Sequence, residues 1–328
     1  MTIAVVGCGD WGRNIARALK SLGALAALSD RAGALKASQC AEELKVPLHS
    51  LETILRERDI QGIVIATPPA THFSLAKQAL EAGKHVFVEK PLVRHKEEAL
   101  VLEKLAQEKE RILMVGHLLR YHGAFEQLHT WVQEGKLGHV LHINTSRKNL
   151  GKIYPDEGVI WDLGPHDLSL ILPLVGRDVS HVFATSGHYA VPLHPDEALL
   201  ALRFKNSSLK AFITLSRLSP FKEQKVTVVG TKGMAVFDDT KEWAQKLVFF
   251  NNLITQETLS HFEIHHDRNG TPALLTPMEP LKAEMTHFLD CLKTQQSPRT
   301  HVQSAVHILE ILEAADLSCK REEWVPCV

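Results

Sequence analysis

The sequence predicts an α/β chain: a doubly wound parallel sheet first, then an α+β region on a mainly antiparallel open sheet. Three observations predict it. A wholly apolar run, Ile3-Ala4-Val5-Val6, is followed at once by Gly7-Cys8-Gly9-Asp10-Trp11-Gly12 and a helical pattern. A strand without polar alternation is one buried on both faces, as in a parallel sheet. Strand and helix patterns then alternate to about Gly116, as crossover-connected parallel strands require. Beyond Gly135 the strands follow one another instead. There Leu209, Ala211, Ile213 and Leu215 alternate with Lys210, Phe212, Thr214 and Ser216, the pattern of a sheet with one better-covered face. A chain of 328 residues exceeds one typical core, so we expect two domains, 1–120 and 121–328.

In chain order, Ile15, Ala18, Leu19 and Leu22 form one helix face, with Arg13, Asn14, Arg17 and Lys20 away from it. Ala24 to Leu28 is the second strand, ending at Ser29-Asp30. A polar helix covers Ala32 to Leu44, and Val46-Pro47-Leu48 reads as a short third strand. Ser50 is placed to cap a helix from Leu51 to Arg58. Ile63 to Ala66 is a fourth strand, and the helix from Ala70 stops at Gly83. His85 to Val88 and Ile112 to Val115 are the fifth and sixth, with a helix from Lys96 to Lys109 between them. After a helix from about Tyr121 to Gly135 come strands at Val140–Arg147, Val182–Tyr189, Ala198–Phe204, Leu209–Leu215, Val226–Val229, Ala235–Phe237 and Leu247–Phe250. Only Asp167 to Val175 interrupts them as a helix. Helices near Leu281–Thr294 and Val302–Ser318 close the chain.

Composition excludes several classes. Lys plus Arg is 37 against 38 Asp plus Glu, so no overall basic field favours nucleic acid or a membrane surface. No apolar stretch approaches the ~20 residues of a membrane helix. Five scattered cysteines lack CxxC or zinc spacing. We expect reduced thiols, a cytoplasmic protein without a signal peptide, and no metal site.

The opening glycines carry chemistry in their context. The first permits a tight turn, the second lets a diphosphate approach the backbone, and the third lets helix and strand pack closely. Phosphates would then meet the free N–H groups at the helix start, around Asp10 and Trp11. Asp30, at the end of the second strand, is placed for the ribose hydroxyls of a dinucleotide. A carboxylate there repels a 2′-phosphate and favours NAD, while Arg31 beside it could instead accept that phosphate.

Ligands of an open α/β sheet sit beyond the carboxyl ends of its strands. The residues to examine are therefore Thr67-Pro68-Pro69 with His72, Glu89-Lys90-Pro91, and His117 with Arg120. Lys90, between a buried strand and a proline, can be partly desolvated with a lowered pKa; on position alone it reads equally as a solvated lysine. Further on, Trp161-Asp162-Leu163-Gly164-Pro165-His166-Asp167 sets a carboxylate near an imidazole, with Pro165 suited to the first turn of the next helix. Such a pair can act as an oriented general base. Alone, it reads more simply as a helix cap and a packed histidine.

The glycine turn, the Thr67-Pro68-Pro69 corner, Glu89-Lys90-Pro91 and the Asp162/His166 spacing resemble the Gfo/Idh/MocA dehydrogenases, the glucose–fructose oxidoreductase family. The likeness runs over essentially the whole chain, including Glu279-Pro280-Leu281 and Pro298-Arg299. It implies a Rossmann domain followed by a substrate and oligomerisation domain. It also implies that Lys90 and His166 flank a reacting carbinol, with Asp162 beside the histidine. Ser169 stands where many members carry another aspartate. Arg147-Lys148-Asn149-Leu150-Gly151-Lys152 leading to Pro165-His166-Asp167 is similar to the nucleotide-sugar 3-dehydrogenases that prepare 3-keto UDP-N-acetyl-hexosamines or their uronates for amination in surface-polysaccharide and lipid A pathways. Asp162-Leu163-Gly164 departs from the uronate-using members. On this likeness Arg120, Arg147, Asn149, Lys152 and Tyr154 would hold the substrate, with Arg147, Lys148, Lys152 and Tyr154 clamping a diphosphate or uronate and stacking a base; from residues alone, the run reads as a charged edge strand and loop. The expected activity is NAD-dependent oxidation at C3 of a UDP-N-acetyl-hexosamine by a homo-oligomer, dimer or tetramer. The alternatives are a free aldose or inositol-type dehydrogenase and a non-catalytic nucleotide-sensing regulator. Retention of both Lys90 and His166 argues against the regulator.

Overall fold

In the computed structural model, β1 (Ile3–Val6) is an inner strand of a parallel sheet and is buried along its length. The structure describes all residues except 32, 33, 154–156, 177, 191, 252, 259, 260 and 328; for 253–258 and 261–263 it describes the backbone only. Parallel to β1 run β2 (Leu25–Ser29) and β3 (Gly62–Ile65), and β4 (His85–Glu89) and β5 (Leu113–Gly116) extend the sheet in the order β2-β1-β3-β4-β5. The connecting helices are α1 (Asp10–Ser21), α2 (Leu35–Leu44), α3 (Leu51–Arg56), α4 (His72–Glu81) and α5 (Lys96–Glu108). Ser50 caps α3 as expected, its hydroxyl accepting the Thr53 N–H at 3.2 Å. The expected third strand, Val46-Pro47-Leu48, is not formed. Leu48 makes only one parallel bridge to Leu28 at the sheet edge, because Pro47 lacks an N–H and cannot continue a ladder.

Two compact units divide the chain, 1–121 with 279–309 and 122–278 with 310–328. The division is not a simple cut at residue 120, because the chain returns. The helix α8 (Pro280–Thr294) buries Leu281, Met285, Phe288, Leu289 and Leu292 in the first core, with Ile15, Leu19, Val64 and Phe87.

The second unit begins with α6 (Gly123–Gln133) and contains α7 (Val159–Val175). The last helix, α9 (Val302–Arg321), belongs to the first unit up to Leu309 and to the second from Glu310. The main sheet uses β6 (Val140–Leu150), β7 (Val179–Gly187), β8 (Glu197–Phe204), β9 (Lys210–Ser216), β10 (Leu218–Gly230), β11 (Met234–Asp238) and β12 (Leu247–Phe250). A separate hairpin pairs β13 (Leu253–Thr258) with β14 (His261–His265). Short strands β15 (Thr271–Pro272) and β16 (Val325–Pro326) complete a nine-stranded order, β15-β12-β11-β10-β6-β9-β8-β7-β16. All its pairings are antiparallel except β6 with β9. One face packs on α7; on the other Leu199 and Phe212 remain 51% and 45% exposed.

The helix α7 starts eight residues earlier than the sequence suggested. Pro165 therefore lies inside it rather than in the first turn of a new helix, and Pro173 lies inside too. Burial of Val159, Ile160, Leu168, Ile171 and Leu172 outweighs two lost backbone hydrogen bonds.

Candidate functional site

In the first unit the glycine turn joins β1 to α1. A side chain on Gly7 would meet the Ala66 carbonyl at 2.7 Å, and one on Gly12 would overlap the Gly7 carbonyl. Gly7 also has φ +96°, so it is excluded from other residues both sterically and conformationally. Around Gly9 the space a side chain would take is open, and no side chain caps α1. The helix thus presents backbone N–H groups to an anion. Asp10 lies outside that cradle, paired with Arg13 at 2.9 Å and Lys36 at 3.0 Å.

Asp30 follows β2 directly, with its carboxylate already oriented. It accepts the Cys8 N–H on Oδ2 and the Arg31 N–H on Oδ1, both at 2.7 Å. The Arg31 residue is exposed. Thr67 and Thr71 are linked through their hydroxyls at 2.7 Å, and Thr71 donates to the Pro68 carbonyl. His72 is fully buried, its two ring nitrogens 2.8 Å from the carbonyls of Pro91 and Thr67. Burial lowers its pKa despite these carbonyls. It therefore ties the Thr67 corner to the segment after Lys90 rather than reaching a ligand itself.

Glu89 closes β4, and its Oε1 accepts the Trp11 indole N–H at 2.6 Å. Burial pushes its carboxyl up to about 7, against that bond and the Lys90 charge. Lys90 follows, partly exposed, before the cis Pro91. His117, beyond β5, is buried and is pushed down to about 3 by burial and then by Arg120 and Lys90. Arg120 stands on the turn that follows, its carbonyl accepting from Arg299. The first unit thus gathers most cofactor candidates at the carboxyl ends of β1 to β5, where an α/β sheet binds ligands. The glycine cradle and the preset Asp30 fit a dinucleotide.

In the second unit Asp162 and His166 are four residues apart on α7 and share a face. Asp162 also has a partner that sequence reasoning missed. Arg217 donates from Nη2 to Asp162 at 2.9 Å and from Nη1 to the Glu157 carbonyl at 2.7 Å. Arg217 continues the inward alternation of Leu209, Ala211, Ile213 and Leu215, a signal present in the sequence. Ser169 is buried and donates to the His166 carbonyl at 2.7 Å.

The basic run is arranged differently from a diphosphate clamp. Successive residues of β6 point to opposite faces, so Arg147 turns inward and Lys148 outward. Arg147 is buried and pairs with fully buried Asp167, Nε to Oδ2 at 2.7 Å. Lys148 pairs with Glu223 at 3.0 Å, and Glu223 also accepts from Ser146. Asn149 is half-buried beside Gly151, and Lys152 is exposed. Tyr154 lies outside the described residues. Among these residues no group of three or more His, Cys, Asp and Glu side chains is placed to hold a metal ion.

Two family models match the chain. Residues 1–117 match the oxidoreductase family with an NAD-binding Rossmann fold, and residues 125–236 match the GFO/IDH/MocA C-terminal domain. The chain is 34% identical over 213 residues to UDP-N-acetylglucosamine 3-dehydrogenase of Acidithiobacillus ferrooxidans, spanning 64% of this chain and 65% of that protein. It is 25% identical over 279 residues to scyllo-inositol 2-dehydrogenase (NAD+) of Bacillus subtilis, 80% and 77% of the two chains. A solved structure of the Acidithiobacillus ferrooxidans enzyme superposes with a TM-score of 0.84 at 25% identity, covering 98% of both chains.

Proposed function

The chain belongs to the GFO/IDH/MocA oxidoreductase family, and on that premise we propose that it oxidises a sugar hydroxyl to a ketone with NAD, at C3 of a UDP-N-acetyl-hexosamine. Support for the cofactor comes from the glycine cradle and from Asp30, whose carboxylate is held by two backbone N–H groups. The observation carrying the substrate is the likeness to UDP-N-acetylglucosamine 3-dehydrogenase.

Bound NAD supplies the hydride acceptor. Lys90 has the role of bonding the reacting oxygen and stabilising developing alkoxide charge. His166 takes the hydroxyl proton as general base. Asp162, braced by Arg217, favours the imidazolium that results. Arg120, Asn149, Lys152 and Tyr154 remain the proposed substrate contacts. Self-association is proposed through the open sheet face bearing Leu199 and Phe212.

A second reading, a free polyol such as an inositol, is favoured by one observation. Arg147, the first cation of the expected clamp, is committed to Asp167, and an inositol dehydrogenase is among the relatives. Calorimetric titration of the NAD-loaded protein separates the two. The proposal expects saturable binding of UDP alone; no UDP binding, with NAD reduction by a free inositol or aldose, would transfer the assignment.

A further inference from the structure

The loop between β7 and β8 is built more firmly than an exposed turn requires. Its Asp196 is buried, and Oδ2 accepts the Tyr189 N–H at 2.9 Å and the Ala190 N–H at 2.8 Å. The Asp196 N–H donates to the Gly187 carbonyl at 2.9 Å and closes the loop on itself. Burying a carboxylate is costly unless such bonds hold it. What the bonds set in place is an aromatic ring. Tyr189 is 72% exposed and folds back over Gly187, where a side chain would overlap it. A ring held in one place yet left in solvent adds little to a core and suits a flat ligand.

The same loop is fastened to the Asp162 end of α7. The Val159 N–H donates to the Pro195 carbonyl at 2.8 Å, and Gly158 leaves room for the Pro195 ring. Arg217 joins three segments there. Its N–H donates to the Asp196 carbonyl at 2.9 Å, and its carbonyl accepts the Gly151 N–H at 3.3 Å. Its guanidinium donates to Asp162. Tyr189, the exposed Lys152 and the face bearing Asp162 and His166 are thus carried by segments that meet at one buried residue. An aromatic ring, a cation and an acid–base pair match in kind the base, the diphosphate and the sugar of one ligand. Tyr189 stands outside the basic run and is not among the contacts expected from the sequence.

We propose that Tyr189 is the base-stacking residue of a nucleoside-diphosphate subsite at this end of the sheet, with Asp196 and Arg217 holding its loop against α7. This assignment deepens the nucleotide-sugar reading and rests on it. Uracil stacks on the open side of the Tyr189 ring, a contact that needs the ring and not its hydroxyl. A free inositol carries no base and gains nothing there.

The test is calorimetric titration of the NAD-loaded protein with UDP, for the unaltered chain, Tyr189→Ala and Tyr189→Phe. Tyr189→Ala should weaken UDP binding by about five- to a hundredfold. Tyr189→Phe should stay within about twofold of the unaltered protein, because the stacking ring is kept. Urea unfolding without ligand should be the same for all three, since the ring is exposed. Equal UDP affinity in Tyr189→Ala would strike this assignment alone and leave the nucleotide-sugar reading standing. So would a loss in Tyr189→Phe as large as in Tyr189→Ala, which places the contact on the hydroxyl. A lowered unfolding midpoint in Tyr189→Ala would also strike it, by making the ring a brace for its loop. No UDP binding by the unaltered protein would instead overturn the nucleotide-sugar reading, and this assignment with it.

Discussion

Arg147 Nε lies 2.7 Å from Asp167 Oδ2, joining β6 to α7 inside the second unit. A buried pair of this kind resists loss of one partner, because the other is left as an uncompensated charge. Arg147→Ala should therefore destabilise the protein by roughly 3–5 kcal/mol in urea unfolding. Arg147→Met together with Asp167→Leu, which removes both charges, should cost much less. An Arg147→Ala variant with unaltered unfolding would show that the pair contributes nothing to the core.

Asp30 supports a second prediction. Replacing Asp30 by Ser removes the carboxylate proposed to meet a ribose and weakens acceptance of the Cys8 and Arg31 N–H groups. NAD affinity should fall roughly ten- to a hundredfold, on the scale of about 1.5–3 kcal/mol for a charge-assisted bond. Preference should move toward NADP. Fluorescence titration with both cofactors measures it, and unchanged selectivity would assign discrimination to Arg31 or elsewhere.

Turnover provides the third. Lys90→Met and His166→Asn should each lower kcat by about 10²–10⁴, the usual range for general acid–base groups. NAD affinity should be nearly unaltered, since neither residue is assigned to the adenosine half. The combined variant should lose less than the product of the single losses if one proton path uses both. Multiplicative losses would mean that they act independently.

Acid stability gives the fourth. Burial would raise the Asp239 carboxyl, but hydrogen bonds and charge from His122 and Lys246 outweigh it and hold the group at about 2. A folded-state pKa below the unfolded value means a contribution present above about pH 4 and lost as pH falls through about 2. The span is worth about 2 kcal/mol, at 1.36 kcal/mol per unit. Asp239→Asn should flatten that part of the stability profile in denaturant titrations across pH; an unaltered profile would remove Asp239 from the acid response.

Local pattern carried much of this architecture. Unalternated apolar runs announced β1, β3 and β4, and the period of two in β9 announced a sheet with one covered face. What pattern could not carry was long-range partnership. The inward turn of Arg147 followed from its parity on β6, yet its meaning depended on Asp167 lying opposite. Charge type suggested a ligand clamp, whereas burial made it a core ion pair. The start of α7 was hidden by Pro165, because a proline reads as a boundary until tertiary burial overrides it. Val46-Pro47-Leu48 erred the other way, apolar enough for a strand but short of the N–H that a ladder needs.

The central claim, NAD-dependent oxidation of a sugar hydroxyl, is tested most directly by following reduced-nicotinamide absorbance when the protein is mixed with NAD and a UDP-N-acetyl-hexosamine. Absorbance should rise saturably with the nucleotide sugar, and Lys90→Met should suppress the rise. Binding of NAD with no reduction by that nucleotide sugar, by its uronate, or by any free aldose or inositol would contradict it.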